Sequence, residues 1–446
     1  MLLDFRSMAD SGDEKKPQKF AAPRGTSDVL PDDWAWWRHV RDTAEHVCDL
    51  FGYRRIETPV FEHAGVYLRT VGAGTDVVEK EVYLFDDRGG DRLALRPEGT
   101  AGVVRAYIEH GMANLPQPVR LFYMAPNFRY DRPQAGRYRQ HTQFGIEAIG
   151  DGDPLVDAEI LDLLTTFYRE LGLRDFTLKL NSIGDSVCRP TFIEALRAYY
   201  RPKLDRVCDD DRVRFEKNPM RLLDCKDPRC HEIIAGAPRL PDYLCDACRE
   251  HFASLRTYLD ALEIAYELDE RLVRGLDYYT RTTFEVQPAV EGSQSSLCGG
   301  GRYDGLAELL GGPPTAGIGF GGGVERLIIN LKRQMESNAA GDDALAGAAF
   351  PIEPQLRLFV AHLTPTAAPI AMQIARRVRE QGLMALVGGG GRSLKSQMRH
   401  ADAKGAMFVA IIGEDELASG EVTLRAMGSH DERRVAIEDV ASAVAP

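Results

Sequence analysis

The chain has 446 residues, 44% of them apolar and 27% charged, and a formal net charge of −12. This composition is globular and long enough for about two or three domains; it excludes a disordered chain, and no apolar run approaches the roughly 18 residues that crossing a bilayer requires. The acidic excess disfavours indiscriminate binding to phosphate backbones, although a local basic patch on an acidic protein can still meet RNA.

Residues 1–20 are charged and lack an apolar signal core, so a flexible tail and a cytoplasmic location are expected. Residues 31–51 predict a helix, followed by 53–60 with Pro59; strands are expected over 92–95, 119–128 and 139–149. Residues 153–172 follow the grammar of a helix. Asp153 can cap, Pro154 suits the first turn, Val156, Ile160, Leu163, Phe167 and Leu171 form an apolar stripe, and Gly172 suits the position past the end. A strand follows over 176–185. Residues 186–269 turn helical and hold most of the cysteines; they read as an insertion, because motif-rich sequence resumes at Arg271 and ends in a helix over 324–335. Residues 336–353, rich in Ala, Gly, Asp and Pro, predict a linker. Beyond it, strands over 356–361 and 406–412 alternate with helices over 367–381 and 393–404, the pattern of a small α/β domain. Before the linker, strands and helices mix without regular alternation, which favours an α+β fold around a largely antiparallel sheet.

Four clusters carry chemistry. Between two strands, residues 128–140 place Arg129, Arg132, Arg137 and Arg139 in one loop shaped by Pro133 and Gly136, and guanidinium forks suit phosphate or carboxylate oxygens. Gln143 and Glu147, four apart on the next strand, share a face. Residues 271–282 set Arg274 beside Tyr278 and Tyr279, and residues 297–305 contain Gly299, Gly300 and Gly301. Finally, a glycine-rich run from Gly317 to Gly323 leads into a helix that starts with Glu325 and Arg326 in its first turn. A cation is disfavoured at that positive dipole end unless an anion sits beside it. Singly, these read equally well as a solvated hairpin, amphipathic packing and ordinary turns.

Together and in this order they resemble the class II aminoacyl-tRNA synthetases: the stretch around Pro59, the Arg129 loop and the helix start at Arg326 look like that family's three signature motifs. Residues 272–282 and 299–306 are similar to the two stretches that distinguish histidyl-tRNA synthetases, and 96–100 and 391–398 match as well, so the resemblance spans about residues 20–440. It implies a class II catalytic domain over 21–335 with the helical insertion at about 186–269, a linker, and an α/β anticodon-binding domain over 354–446, assembled as a homodimer. The implied reaction activates L-histidine with ATP and Mg2+ to histidyl-adenylate, then transfers histidine to the 3′ end of tRNA(His).

By the same resemblance, Arg129 bridges the histidine carboxylate and the α-phosphate, Arg274 stands in part for a metal ion, and Arg326 lies near the γ-phosphate and adenine. Asp131, Arg137 and His141 complete the ATP set. Glu98, Thr100 and Gln143 hold the α-amino group. Glu147 accepts from the ring N–H, and Tyr278 or Tyr279 completes the ring contacts, since a neutral imidazole offers one donor and one acceptor. In the C-terminal domain, Arg392, Lys395 and Arg399 match residues that meet the tRNA. Three departures stand out: Asp131 where the family usually has glutamate, His141 where it has phenylalanine, and the run Gly321-Gly322-Gly323. A non-catalytic relative, such as the synthetase-like regulatory subunit of histidine biosynthesis, tends to lose pocket residues or the C-terminal domain, and both are present here. A general RNA-binding module would predict a basic bias and no ATP site.

Cys225-x4-Cys230 and Cys245-x2-Cys248 have metal-like spacing. They read either as four thiolates on one structural zinc ion or as reduced, partly buried thiols. The second is the expectation, because zinc is not a general feature of the family resembled.

Overall fold

The computed structural model describes residues 19–70, 81–276, 278–288, 296–339 and 355–445. The expected tail, apart from its last two residues, and most of the expected linker lie outside these. The chain divides into two compact units, residues 1–351 and 352–446.

The first unit is built on α1 (Trp34–Leu50), β1 (Arg54–Arg55), β2 (Phe61–His63), α2 (Ala64–Thr70), β3 (Leu84–Asp86), β4 (Arg92–Leu95), α3 (Thr100–Glu109), β5 (Val119–Phe128), β6 (Gln140–Ile149), α4 (Pro154–Glu170) and β7 (Phe176–Ser182). The insertion follows as α5 (Arg189–Tyr200), α6 (Asp209–Lys217), α7 (Pro228–Ala235) and α8 (Asp246–Ala261). Then come β8 (Glu267–Leu268), β9 (Thr280–Pro288), β10 (Cys298–Arg302), α9 (Leu306–Leu309), β11 (Gly317–Gly323) and α10 (Val324–Ala339). Eight strands form one sheet in the order β1-β5-β6-β11-β10-β9-β7-β8, antiparallel except for its two edge pairs. β2, β4 and β3 form a small antiparallel sheet.

Strand alternation gives the large sheet two different faces. Phe144 and Ile146 of β6, Ile318 and Phe320 of β11, and Phe284 and Val286 of β9 point to one side, where they pack with the apolar stripes of α1, α4, α8 and α10. The stripe expected on α4 is buried there, and its start is capped as expected: the Asp153 carboxylate accepts from the Leu155 N–H, with Pro154 in the first turn. Gly172 beyond its end has φ +84°, the left-handed value that glycine adopts without strain. The alternate residues of the same strands face the other side, where the candidate site lies.

Element ends shift by about one to three residues from the expected ones, as where β7 stops at Ser182 rather than at 185 and β12 spans Leu358–His362 rather than 356–361. Two differences are larger in consequence. β8, expected within the insertion, already rejoins the main sheet beside β7. Residues 336–339, expected in the linker, continue α10. The cysteine reading needs a larger correction: Cys225, Cys230, Cys245 and Cys248 do not form one group. Cys225 and Cys230 lie with Cys208 and Asp211, whereas Cys245 and Cys248 lie with Asp185 and Cys188. Local spacing shows pairs but not which pairs the fold joins.

The second unit has β12 (Leu358–His362), α11 (Ala368–Glu380), β13 (Ala385–Val387), α12 (Leu394–Ala403), β14 (Phe408–Ile412), α13 (Glu414–Ser419), β15 (Glu421–Ala426), β16 (Glu432–Ala436) and α14 (Val440–Ala443). Its sheet runs β13-β12-β14-β15-β16, parallel in the first three strands and antiparallel in the last two. Ser393 caps α12 by accepting from the Ser396 N–H, and Arg392, Lys395 and Arg399 are exposed there.

Candidate active site

An open cavity lies on the second face of the large sheet. Glu98, Thr100, Arg129, Asp131, Arg137, His141, Gln143, Arg274, Tyr278, Tyr279 and Arg326 all line it, so three arginines separated by up to 197 positions in the chain converge on one space.

Each arrives by a different route. Arg129 extends from the end of β5, its Nε donating to the Pro97 carbonyl at 2.7 Å. Arg274 precedes β9 and pairs through Nη1 with Glu285 at 2.7 Å. Arg326, in the first turn of α10, donates to the Gly136 carbonyl at 2.6 Å and the Ser296 carbonyl at 2.9 Å, which locks the 128–140 loop against the helix. Burial, with Arg137 and Arg129 as like-charged neighbours, holds the Arg326 guanidinium below the ordinary arginine value. Such a concentration of positive charge suits a polyanion.

Glycine makes room for these side chains. A Cβ on Gly299 would lie 2.1 Å from Arg274 Nη2, one on Gly321 2.1 Å from Gln143 Nε2, and one on Gly319 2.1 Å from a Glu147 oxygen. In the ladder, Gly299 stands opposite Glu285 and Gly319 opposite Glu147, so the glycine-rich strands form a floor over which functional side chains lie.

Glu98 is buried, and its carboxylate accepts from the backbone N–H groups of Thr100 and Ala101 at 2.7 and 2.9 Å, fixing it at the start of α3. Gln143 is held by Asn127 Nδ2, which donates to its Oε1 at 2.8 Å. Glu147 is fully buried and is the one member of the expected histidine set that does not line the cavity wall. Its oxygens accept from Thr100 Oγ1 at 2.7 Å and Tyr303 Oη at 2.6 Å, so it connects to the cavity through Thr100. Burial raises its carboxyl to about 8, against the hydrogen bonds from Tyr303 and Thr100 that favour ionisation. His141 is driven down to about 3 by burial and by Arg129 and Arg326, which keeps the imidazole neutral. Asp131 pairs with Arg137 at 3.3 Å.

Sequence reasoning missed Glu285, Tyr303, Asn127, Glu325 and Ser296. Glu325 stands beside Arg326 in a motif that was read, and its Oε1 accepts from the Thr142 N–H at 2.7 Å. Tyr303 also stands inside a cluster already singled out, 297–305, whereas Asn127, Glu285 and Ser296 act through partners 16, 11 and 30 positions away, for which no local pattern exists.

Residues 25–327 match the family model described as histidyl-tRNA synthetase, and residues 357–445 the one described as an anticodon binding domain. A histidine–tRNA ligase of Dehalococcoides mccartyi is 48% identical over 408 residues, covering 92% of this chain and 95% of that protein. One from Pelotomaculum thermopropionicum is 46% identical over 418 residues, covering 94% of this chain and 96% of that protein. Among solved structures, that of Staphylococcus aureus histidyl-tRNA synthetase matches with a TM-score of 0.78 and 36% identity, covering 96% of this chain and 100% of the other.

Proposed function

The chain belongs to the histidyl-tRNA synthetase family and joins histidine to tRNA at the expense of ATP; from that premise we propose how its cavity divides the work. The observation that carries the reading is the convergence of Arg129, Arg274 and Arg326 beside the polar group Glu98, Thr100, Gln143 and Glu147.

In the first step a histidine carboxylate oxygen attacks the α-phosphorus of ATP, and the bond to pyrophosphate breaks. Two anions must approach in line, so the barrier is set by charge and alignment, and the attacking oxygen needs no base because it is already ionised. Arg129 bridges the carboxylate and the α-phosphate. Arg274, held by Glu285, neutralises charge on the opposite side, and Arg326 takes the distal phosphates. Neutral His141 stacks on adenine without adding charge, and Asp131 with Arg137 borders the nucleotide. In the second step a ribose hydroxyl at the 3′ end of tRNA(His) attacks the carbonyl carbon, and AMP leaves.

Histidine lies with its ammonium against Glu98, Thr100 and Gln143. The fixed carboxylate of Glu98 keeps lone pairs for it beyond those used at α3. The ring extends toward Glu147 as acceptor and a hydroxyl of Tyr278 or Tyr279. An amino acid without matching groups would strand these buried partners, which discriminates more strongly than shape alone. Magnesium travels with ATP, and a carboxylate of this cavity fits it: Glu325 lines the wall, and its buried Oε2 has no hydrogen-bond partner. When bound, the ion withdraws charge from phosphate oxygens.

Exposed Arg392, Lys395 and Arg399 of the second unit meet phosphates of the tRNA anticodon arm. No helix among the described residues is long and apolar enough to cross a membrane. Phe61 and Phe85 are exposed and stack edge to face at 6.3 Å, with Val60 exposed nearby, and this apolar surface suits a homodimer contact. Aminoacylation by the purified chain tests the reading: radiolabelled histidine should become acid-precipitable on tRNA only when ATP is present. Equal charging with other amino acids, or none with histidine, would refute it.

A further inference from the structure

The insertion contains two thiol clusters that the reaction does not use. In one, Asp185, Cys188, Cys245 and Cys248 bring their ligand atoms within 4.8 Å of one another; in the other, Cys208, Asp211, Cys225 and Cys230 do the same. The first joins the segment after β7 to the start of α8. The second joins the start of α6 to α7 and the turn before it.

Three of the ligand–ligand separations come within about 0.1 Å of the edges of a tetrahedron around a metal ion, and a fourth is about 0.4 Å longer. A zinc–sulfur bond of about 2.3 Å gives sulfur–sulfur edges of about 3.8 Å, and a zinc–oxygen bond of about 2.0 Å gives sulfur–oxygen edges of about 3.5 Å. In the first cluster Cys188 Sγ lies 3.9 Å from Cys248 Sγ and 3.5 Å from Asp185 Oδ1, and Cys245 Sγ lies 3.9 Å from that oxygen. In the second, Cys208 Sγ lies 3.7 Å from Cys225 Sγ. Disulfide sulfurs would be about 2.05 Å apart.

Backbone donors surround the sulfurs. The Asp185 N–H points at Cys188 Sγ at 3.3 Å, and the N–H groups of Cys208 and Asp211 point at Cys230 and Cys208 Sγ, each at 3.4 Å. Such donors stabilise ligating thiolates. Asp211 is fully buried; its Oδ1 receives Arg214 at 3.1 Å, but its Oδ2 has no hydrogen-bond partner. Arg214 already offsets the charge, but a buried oxygen without a partner of its own is costly, and a metal ion would supply one.

We propose that the insertion binds two zinc ions, each held by three thiolates and one aspartate, as structural staples. Three soft sulfurs and a closed four-ligand shell select zinc over magnesium or calcium and leave no position for substrate. Arg214 beside Asp211 and Arg281, 3.7 Å from Asp185, offset the excess negative charge of the two sites. The helices they connect include two of only 9 and 8 residues, α6 and α7, which gain little stability from their own length.

Elemental analysis of the full chain, produced in zinc-supplemented medium and purified under reducing conditions, should find two zinc equivalents. Cys225→Ser and Cys248→Ser should each lose one. If those variants do not fold, cobalt replacement in the unaltered chain gives the same answer. Two equivalents should be needed to saturate the intense visible bands of tetrahedral cobalt with thiolate charge transfer. One equivalent or none in the unaltered chain, a weak octahedral cobalt spectrum, or an intact mass reduced by disulfide formation would overturn the proposal.

Discussion

A Cβ at Gly299 would lie 2.1 Å from Arg274 Nη2, so the arginine holds its place only because the strand beneath it has no side chain. Gly299→Ala should therefore displace Arg274 and lower histidine-dependent pyrophosphate exchange by about 10²-fold, comparable to losing a charge-stabilising donor. Exchange within a few-fold of the unaltered chain would show that the guanidinium can relocate without loss. Glu147 is legible through its chemistry and its pH dependence. Its carboxyl is raised by burial to about 8, above the unfolded value of about 4.3. Its contribution to folding is thus complete below the unfolded value and is lost as pH rises through the folded one. Urea unfolding at about pH 5 and about pH 9 should show the unaltered chain losing stability relative to Glu147→Gln as pH rises. A gap between the two proteins that does not change with pH would remove the buried carboxyl from the account.

At the level of elements, local grammar located α4, β5 and β6 closely, because caps, proline and apolar periodicity act within a few residues. The same reading could not see why Asp157 lies on the buried side of α4. The structure gives the reason: Asp157 Oδ1 meets Arg302 Nη2 of β10 at 2.6 Å, both side chains fully buried, and Oδ2 accepts from Thr282 Oγ1 of β9 at 2.5 Å. This link fastens α4 to two strands that form the glycine floor. Asp157→Ala leaves buried Arg302 with Asp304, at 3.2 Å, as its remaining carboxylate partner, and should cost about 3 kcal/mol in urea unfolding, the low end for a broken buried pair. A cost below about 1 kcal/mol would mean that solvent or a neighbour replaces the carboxylate. The cysteine pairs illustrate the same limit, since spacing identified them but only the tertiary fold shows that each takes its third thiol from elsewhere, Cys188 or Cys208.

For the whole molecule, the order of motifs conveyed the α+β sheet, the insertion and the C-terminal α/β unit, because each motif is tied to a recognisable stretch. Partners such as Glu285 and Tyr303 were hidden because they depend on strand order in an eight-stranded sheet. The proposed division of labour between the two compact units is one that mutations can separate. Lys395→Ala combined with Arg399→Ala should weaken tRNA binding and reduce its logarithmic salt slope by about 1.5–2, while pyrophosphate exchange stays near normal. An unchanged salt slope would remove those side chains from the RNA contact.

The account depends above all on several guanidinium groups from remote stretches acting on one polyphosphate, and Arg274 is the member with a dedicated carboxylate partner at 2.7 Å. Histidine-dependent ATP–pyrophosphate exchange by Arg274→Ala, measured beside the unaltered chain at matched thermal stability, tests this directly. The rate should fall by about 10²–10³-fold or more. Near-normal exchange would contradict the shared role of these arginines.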